Sequence, residues 1–256
     1  MDEKLGIVRK IMNCAEKYNN NLLNKNVMFI FEDRSAPLLE SVKCIETTYN
    51  ATNFYHLTGV KSNLSPLDFF NRAVEQRLSI NNIKRINSLT NLKLDVLYNL
   101  VQIDKSAKAI GNYDPTTKIN LYTEKVVGNV HYCLGFIKDQ DSDFYIPNTA
   151  LKENIKNITY NDYNIMVIMK KGINDDLYKD VTYLKNNANL NALIRNDEVG
   201  EKINIENIEF QNKDNIVNTE LVDNFREEIK NIISGKYNDE ENNNLSSNED
   251  EEEDER

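Results

Sequence analysis

His56 and His131 are the only histidines in 256 residues. The first stands in "NFYHLTGVKS", with Thr58, Gly59 and Lys61 close behind it. Further along, "LYTEKVVGN" gathers Tyr122, Thr123, Lys125 and Asn129, and "YIPN" adds Asn148. Histidine titrates near neutrality and can give or take a proton. Lysine supplies positive charge, while threonine, tyrosine and asparagine hydrogen-bond phosphate oxygens and bases. Such a set suits metal-free cleavage of RNA. That reaction needs a base for the ribose 2′-OH proton, an acid for the leaving 5′-oxygen, and cations or donors for the charge that grows on phosphorus.

On this reading the catalytic candidates are His56, Thr58, Lys61, Tyr122, Thr123 and Lys125, and the RNA-binding candidates are Arg72, Gln76, Asn129 and Asn148. Each has a plainer alternative. His56 could fasten its loop to a sheet, Thr58 could cap a turn, and Lys61 could be a solvated surface cation. Arg72 and Gln76 share one helical face that is either solvated or in contact with RNA, and Asn148 could be an ordinary turn residue. Gly59 suggests a backbone of positive φ. Strand alternation separates Tyr122 and Glu124 from Thr123 and Lys125, so both pairs enter one cleft only where the strand ends or bulges. The chain has no Gly-rich phosphate loop, no G-x-S-x-G and no H-E-x-x-H. No cofactor and no metal are expected.

Three scattered cysteines without a C-x-x-C pair argue against a disulfide framework and for reduced thiols. No apolar run nears the roughly 18 residues of a membrane span, so no membrane partner is expected and the location should be cytoplasmic. The formal charge of -10 is uneven. Residues 236–256 hold ten acids and two bases, whereas residues 51–172 hold 15 Lys and Arg against 11 Asp and Glu. A mildly basic middle permits contact with nucleic acid. The acidic end reads as disordered, or else as a nucleic-acid mimic folded over that middle.

The elements that must position these groups follow from periodicity. An amphipathic helix is expected over 3–18, strands over 26–31 and 42–47, and an extended piece over "NFYHLTGV". Ser65-Pro66 should start a helix running to residue 78, and a longer helix should cover about 90–110 and stop at Gly111-Asn112. From 118 the period becomes 2, giving strands at "KINLYT", "VHYCLGFI", "FYIPN" and "NIMVIM". Helices are then expected in "DDLYKDVTYLK" and over 219–234. The fold class is α+β: helices packed on an antiparallel sheet of about four strands, with an amino-terminal helix and two-strand cap and a disordered acidic tail. The expected units are a cap over 1–49, a core domain over 50–175, a helical extension over 176–235 and the tail over 236–256.

The segments "NFYHLTGVKS...DFFNRAVEQRLS", "GNYDPTTKINLYTEKVVGN", "CLGF" and "YIPNTALKENI" resemble, in order and spacing, the mobile-element family of phage-type Barnase-EndoU-Colicin-RelE-like nucleases. The resemblance covers about residues 50–175, with Thr58 and Lys61 at matching positions. It implies a helix-plus-four-stranded-sheet fold and, by analogy of class, a metal-independent endoribonuclease of toxin-like or phage character. Its products would carry 2′,3′-cyclic phosphates. RNA would be the substrate, and an antitoxin or immunity protein a partner. The alternative is a catalytically inactive RNA- or protein-binding module of a phage or conjugative element.

Overall fold

Apolar spacing of three and four residues builds the first helix. In α1 (Asp2–Asn21), Val8, Ile11, Ala15 and Tyr18 form one fully buried stripe. The chain turns at Leu22–Asn24 into β1 (Lys25–Glu32), which pairs antiparallel with β2 (Val42–Thr48). These observations come from a computed structural model that describes residues 2–33, 35–37, 40–186, 188 and 196–210, with five helical positions between 223 and 231. The acidic tail lies outside the described residues.

The expected two-strand cap is instead part of the central sheet. β1 continues onto β9 (Thr159–Gly172), with Phe29 opposite Ile168. β2 meets β8 (Tyr145–Leu151) in a single parallel pairing of Thr47 with Tyr145. Between them run β7 (Cys133–Lys138), β6 (Lys125–Gly128) and β5 (Ala109–Tyr113), all antiparallel, and β5 returns to β9. Seven strands therefore close into a mixed barrel, with β10 (Asp180–Leu184) and β11 (Glu209–Phe210) added beside β9. This corrects the expectation of helices on a four-stranded antiparallel sheet. Closure was hidden because it depends on pairings between strands about a hundred residues apart or more, while periodicity reports only which face of each strand is apolar. β9 makes closure feasible through its length. Its first half pairs with β5 on one edge, and its second half pairs with β1 on the other and with β10 beside β5.

Other local expectations also change. "NFYHLT" is helical, as α2 (Ala51–Thr58), and not extended. Its aromatic and β-branched composition favours strand. Tertiary packing overrides that preference by burying Phe54, Leu57 and Thr58 on one side and placing Phe54 5.4 Å from both Tyr18 and Phe70. α3 (Pro66–Val74) starts at Ser65, whose hydroxyl accepts from the Asp68 N–H at 3.1 Å. It stops short of 78 because Gln76 turns to a φ of 58°. The long helix splits into α4 (Ser88–Leu100) and α5 (Ile103–Ser106), and Gly111-Asn112 lies inside β5. "KINLYT" forms a loop pinned by the Tyr113 hydroxyl, which accepts from the Leu121 N–H at 3.1 Å. Strands β6 to β8 and the apolar "NIMVIM" within β9 form as strands. "DDLYKDVTYLK" supplies strand β10, not a helix. Among the described residues, no helix is long and apolar enough to cross a membrane.

The helices lie at one end of the barrel. α1 leads into β1, α2 follows β2, and α5 leads into β5, so their attached strand ends are all on that side. One apolar cluster runs from α1, α2, α3 and α4 into the barrel interior, where Phe136 meets Phe29 at 6.5 Å and Tyr49 at 6.3 Å. A second, smaller core on the outer face joins Tyr113, Val126, Cys133, Ile155 and Ile158.

Candidate active site at the barrel mouth

The strand ends away from the helices form an open mouth. The β1–β2, β5–β6 and β7–β8 connections meet there. Register decides which side chains look inward. Lys125 is opposite both Asn112 and Phe136, and Phe136 is buried inside the barrel, so Lys125 shares the inner face. Its ammonium donates to Asn112 Oδ1 at 2.5 Å. Burial lowers the Lys125 pKa from the ordinary lysine value, and Lys43 pushes it further down against the opposing pull of Glu124.

Lys43 reaches the mouth from β2, opposite Phe31, whose ring stacks on Tyr163 at 5.3 Å. Lys43 Nζ is 2.7 Å from Asp33 Oδ2, and Ser35 donates its backbone N–H and its hydroxyl to Asp33 Oδ1. These bonds, that of Lys43 foremost, hold the Asp33 carboxyl down at about 2, while Asp33 raises the Lys43 pKa. Lys43 is therefore neutralised locally. Lys125 has no ion-pair partner among the described residues. Tyr145 and Tyr163 complete the inner rim, and burial raises both phenol pKa values. A pocket of about 440 Å³ opens beside Lys125, lined among others by Asn112, Tyr122, Glu124, Tyr145 and Tyr160.

The expected site residues divide between this mouth and the helical side. Tyr122, Thr123, Lys125 and Asn148 come together: Thr123 Oγ1 donates to Asn148 Oδ1 at 2.8 Å, and the Asn148 amide donates to the Tyr122 carbonyl. β6 begins only at Lys125, so the preceding residues escape strand alternation, and Tyr122, Thr123 and Lys125 all line one pocket. His56 is exposed on α2, with its ring edge-on to Tyr55 at 5.6 Å. Lys61 is exposed on β3 (Lys61–Ser62). Thr58 is fully buried, donates to the Tyr55 carbonyl at 2.8 Å and accepts from the Val60 N–H, and so fastens a turn. Arg72 and Gln76 are exposed on and after α3. Asn129 accepts from the His131 and Tyr132 N–H groups at the helical end of the barrel.

A family model described as phage-Barnase-EndoU-ColicinE5/D-RelE like nuclease4 matches residues 10–187. The chain belongs to that nuclease family. No curated protein and no solved structure matches it. The match takes in most of α1, α2 to α5, the whole barrel and β10, so the mouth lies inside the part that defines the family.

Sequence reasoning missed Asn112, Lys43, Asp33, Tyr145 and Tyr163 in this nuclease. Asn112 is set beside Lys125 by the β5–β6 pairing, whereas Lys43, Asp33 and Tyr163 join the mouth through the pairings of β1, β2 and β9. One available signal was a lysine on the otherwise apolar inner face of β2, with Lys43 in step with Ile45. Gly59 has the expected positive φ, 68°, and a Cβ there would stand 2.8 Å from Lys93 Cδ. Gly59→Ala should lower stability by about 1–2 kcal/mol from the left-handed backbone alone. Thermal unfolding checks this, and an unchanged midpoint would show that the turn relaxes freely.

Proposed function

We propose that this nuclease is a metal-independent endoribonuclease that cleaves RNA at the barrel mouth. The observation that supports it most is Lys125: a half-buried ammonium without an ion-pair partner among the described residues, in one pocket with a carboxylate and a phenol. In the proposed reaction Glu124 takes the 2′-OH proton, O2′ bonds to phosphorus and the P–O5′ bond breaks. Lys125 holds the charge on the non-bridging oxygens, and Tyr145 gives its proton to O5′. Solvent then returns the proton from Glu124 to Tyr145. Raised phenol pKa values keep Tyr145 and Tyr163 protonated at neutral pH, as donors must be. Lys138 lies over the Tyr145 ring at 5.4 Å and favours the transient phenolate. His56, expected as the proton-transfer group, is assigned instead to substrate contact, because Lys125 faces the interior and His56 sits exposed on a helix outside it.

The direct test incubates the purified chain with RNA and with DNA of the same sequence in EDTA. Cleavage of RNA alone, leaving 2′,3′-cyclic phosphate and 5′-OH ends, is the expected result. Dependence on Mg²⁺, equal cleavage of DNA, or binding without cleavage would each overturn the reading.

A further inference from the structure

Outside the mouth stands a second group of cations without ion-pair partners among the described residues. Lys61 stands directly opposite Arg85 on the paired strands β3 and β4 (Ile83–Arg85), and both are exposed. Like charges placed opposite each other weaken a strand pair. Neither forms an ion pair among the described residues. This ribbon is docked on α2, where the Ser62 N–H donates to the Tyr55 hydroxyl at 3.2 Å, and the exposed His56 ring stands edge-on to the Tyr55 ring at 5.6 Å.

From α2 a chain of polar contacts leads along the outer wall of the barrel. Lys93 Nζ is 3.3 Å from the His56 carbonyl and 3.3 Å from Thr149 Oγ1 on β8. No carboxylate accompanies Lys93 among the described residues, and burial lowers its pKa. Thr149 is opposite Gly135, on the face away from Phe136, so this is the outward surface. A Cβ on Gly135 would stand 2.6 Å from Thr123 Oγ1 and 2.7 Å from Thr149 Cγ2, so two threonines, each only 9% exposed, close over this buried glycine and link the wall from Lys93 to Asn148. Thr123 then bonds Asn148, and Asn148 bonds the carbonyl of Tyr122, whose ring is 82% exposed on the pocket rim.

We propose that this line, from Lys61 and Arg85 past His56 and Lys93 to Tyr122, is an exosite for the single-stranded flank of an RNA whose scissile phosphate lies at Lys125. It rests on the ribonuclease reading for its last step only. The cations meet backbone phosphates, and Tyr122 and Tyr160, 49% exposed, offer rings on which unpaired bases stack. A single strand fits because the line bends over the rim from the outer face to the inner one, a turn that a stiff duplex does not make.

The test uses 2′-O-methyl RNA, which has no free 2′-OH to attack, so that binding is read apart from cleavage. Affinities are compared for single strands of about 12 and about three nucleotides, lengths that bracket ordinary single-strand sites. The native chain should prefer the longer strand. Lys61→Gln with Arg85→Gln should cut that preference about tenfold at 0.1 M salt and make the salt slope shallower by about 1.4, twice the single-strand value per phosphate. Because that pair of changes relieves a like-charge contact, folding should survive it. Lys93→Gln gives a second reading from the middle of the line. Equal affinity for both lengths in the native chain, an unchanged salt slope in the variants, or equal binding of a duplex would overturn the exosite. A native chain that shows the length preference yet cleaves no RNA would overturn only the catalytic reading.

Discussion

Lys125→Met should lower the rate of RNA cleavage by about 10²–10³-fold, the usual loss when one preorganised donor to a developing charge is removed. Methionine keeps the aliphatic stem against the barrel wall, so the loss reports the missing charge and not a cavity. Asn112 loses its donor in this variant, but it is only half-buried and can turn to water. The pH profile separates charge from structure. Burial and Lys43 place the native amine below the ordinary lysine pKa, so its charge is lost, as pH rises, earlier than that of an ordinary lysine. The native rate should therefore decline on the alkaline side, starting below about pH 10.4. Lys125→Arg, always protonated, should keep part of the activity and flatten that decline. Near-native turnover by Lys125→Met would remove the residue from the mechanism.

Lys170→Met should destabilise the fold by about 3–5 kcal/mol, the cost of leaving one charge of a buried pair uncompensated. Lys170 Nζ lies 2.9 Å from Asp104 Oδ2, with side-chain exposures of 7% and 0%, and it also bonds the Asn21 carbonyl at the end of α1. Asp104 sits on α5, and its backbone carbonyl accepts from Thr182 of β10 at 2.5 Å. One lysine on β9 thus ties α1 and α5 to the strand that closes the barrel. The second Asp104 oxygen, Oδ1, is buried without a hydrogen bond among the described residues, so nothing else would take over its compensation. Urea titration measures the effect. Asp104→Leu combined with Lys170→Met should recover most of the loss, because a buried apolar pair carries no unpaired charge. A single-mutant loss under about 1 kcal/mol would show that water reaches the pair.

The second prediction turns on a residue that local sequence reading treats as ordinary. Lys170 and Lys171 follow an apolar run and look like surface cations flanking a strand, yet Lys170 is buried and Lys171 reaches the Asp176 carbonyl. Only the pairing of β9 with β1 and β10 determines that Lys170 points at Asp104. Lys125, in contrast, was a candidate from its residue type alone, and the strand register adds that it shares the inner face with Phe136.

By itself the sequence determined the α1 stripe, the start of α3 at Ser65-Pro66, the approximate positions of β1, β2, β7, β8 and β9, the positive φ of Gly59 and the family resemblance. These depend on short-range spacing, capping hydroxyls and backbone freedom, which act within a few residues and do not need the rest of the chain. The tertiary structure alone decided that "NFYHLT" is helical, that "DDLYKDVTYLK" holds a strand, and that seven strands close on themselves. It also decided that His56 and Lys125 lie on different faces and that Lys43, Asp33, Tyr145 and Tyr163 surround the mouth. The physical reason is common to all of these. Burial against partners distant in sequence outweighs local propensities of well under 1 kcal/mol per residue, and strand register, set only when the barrel closes, assigns every alternating side chain to the inside or the outside.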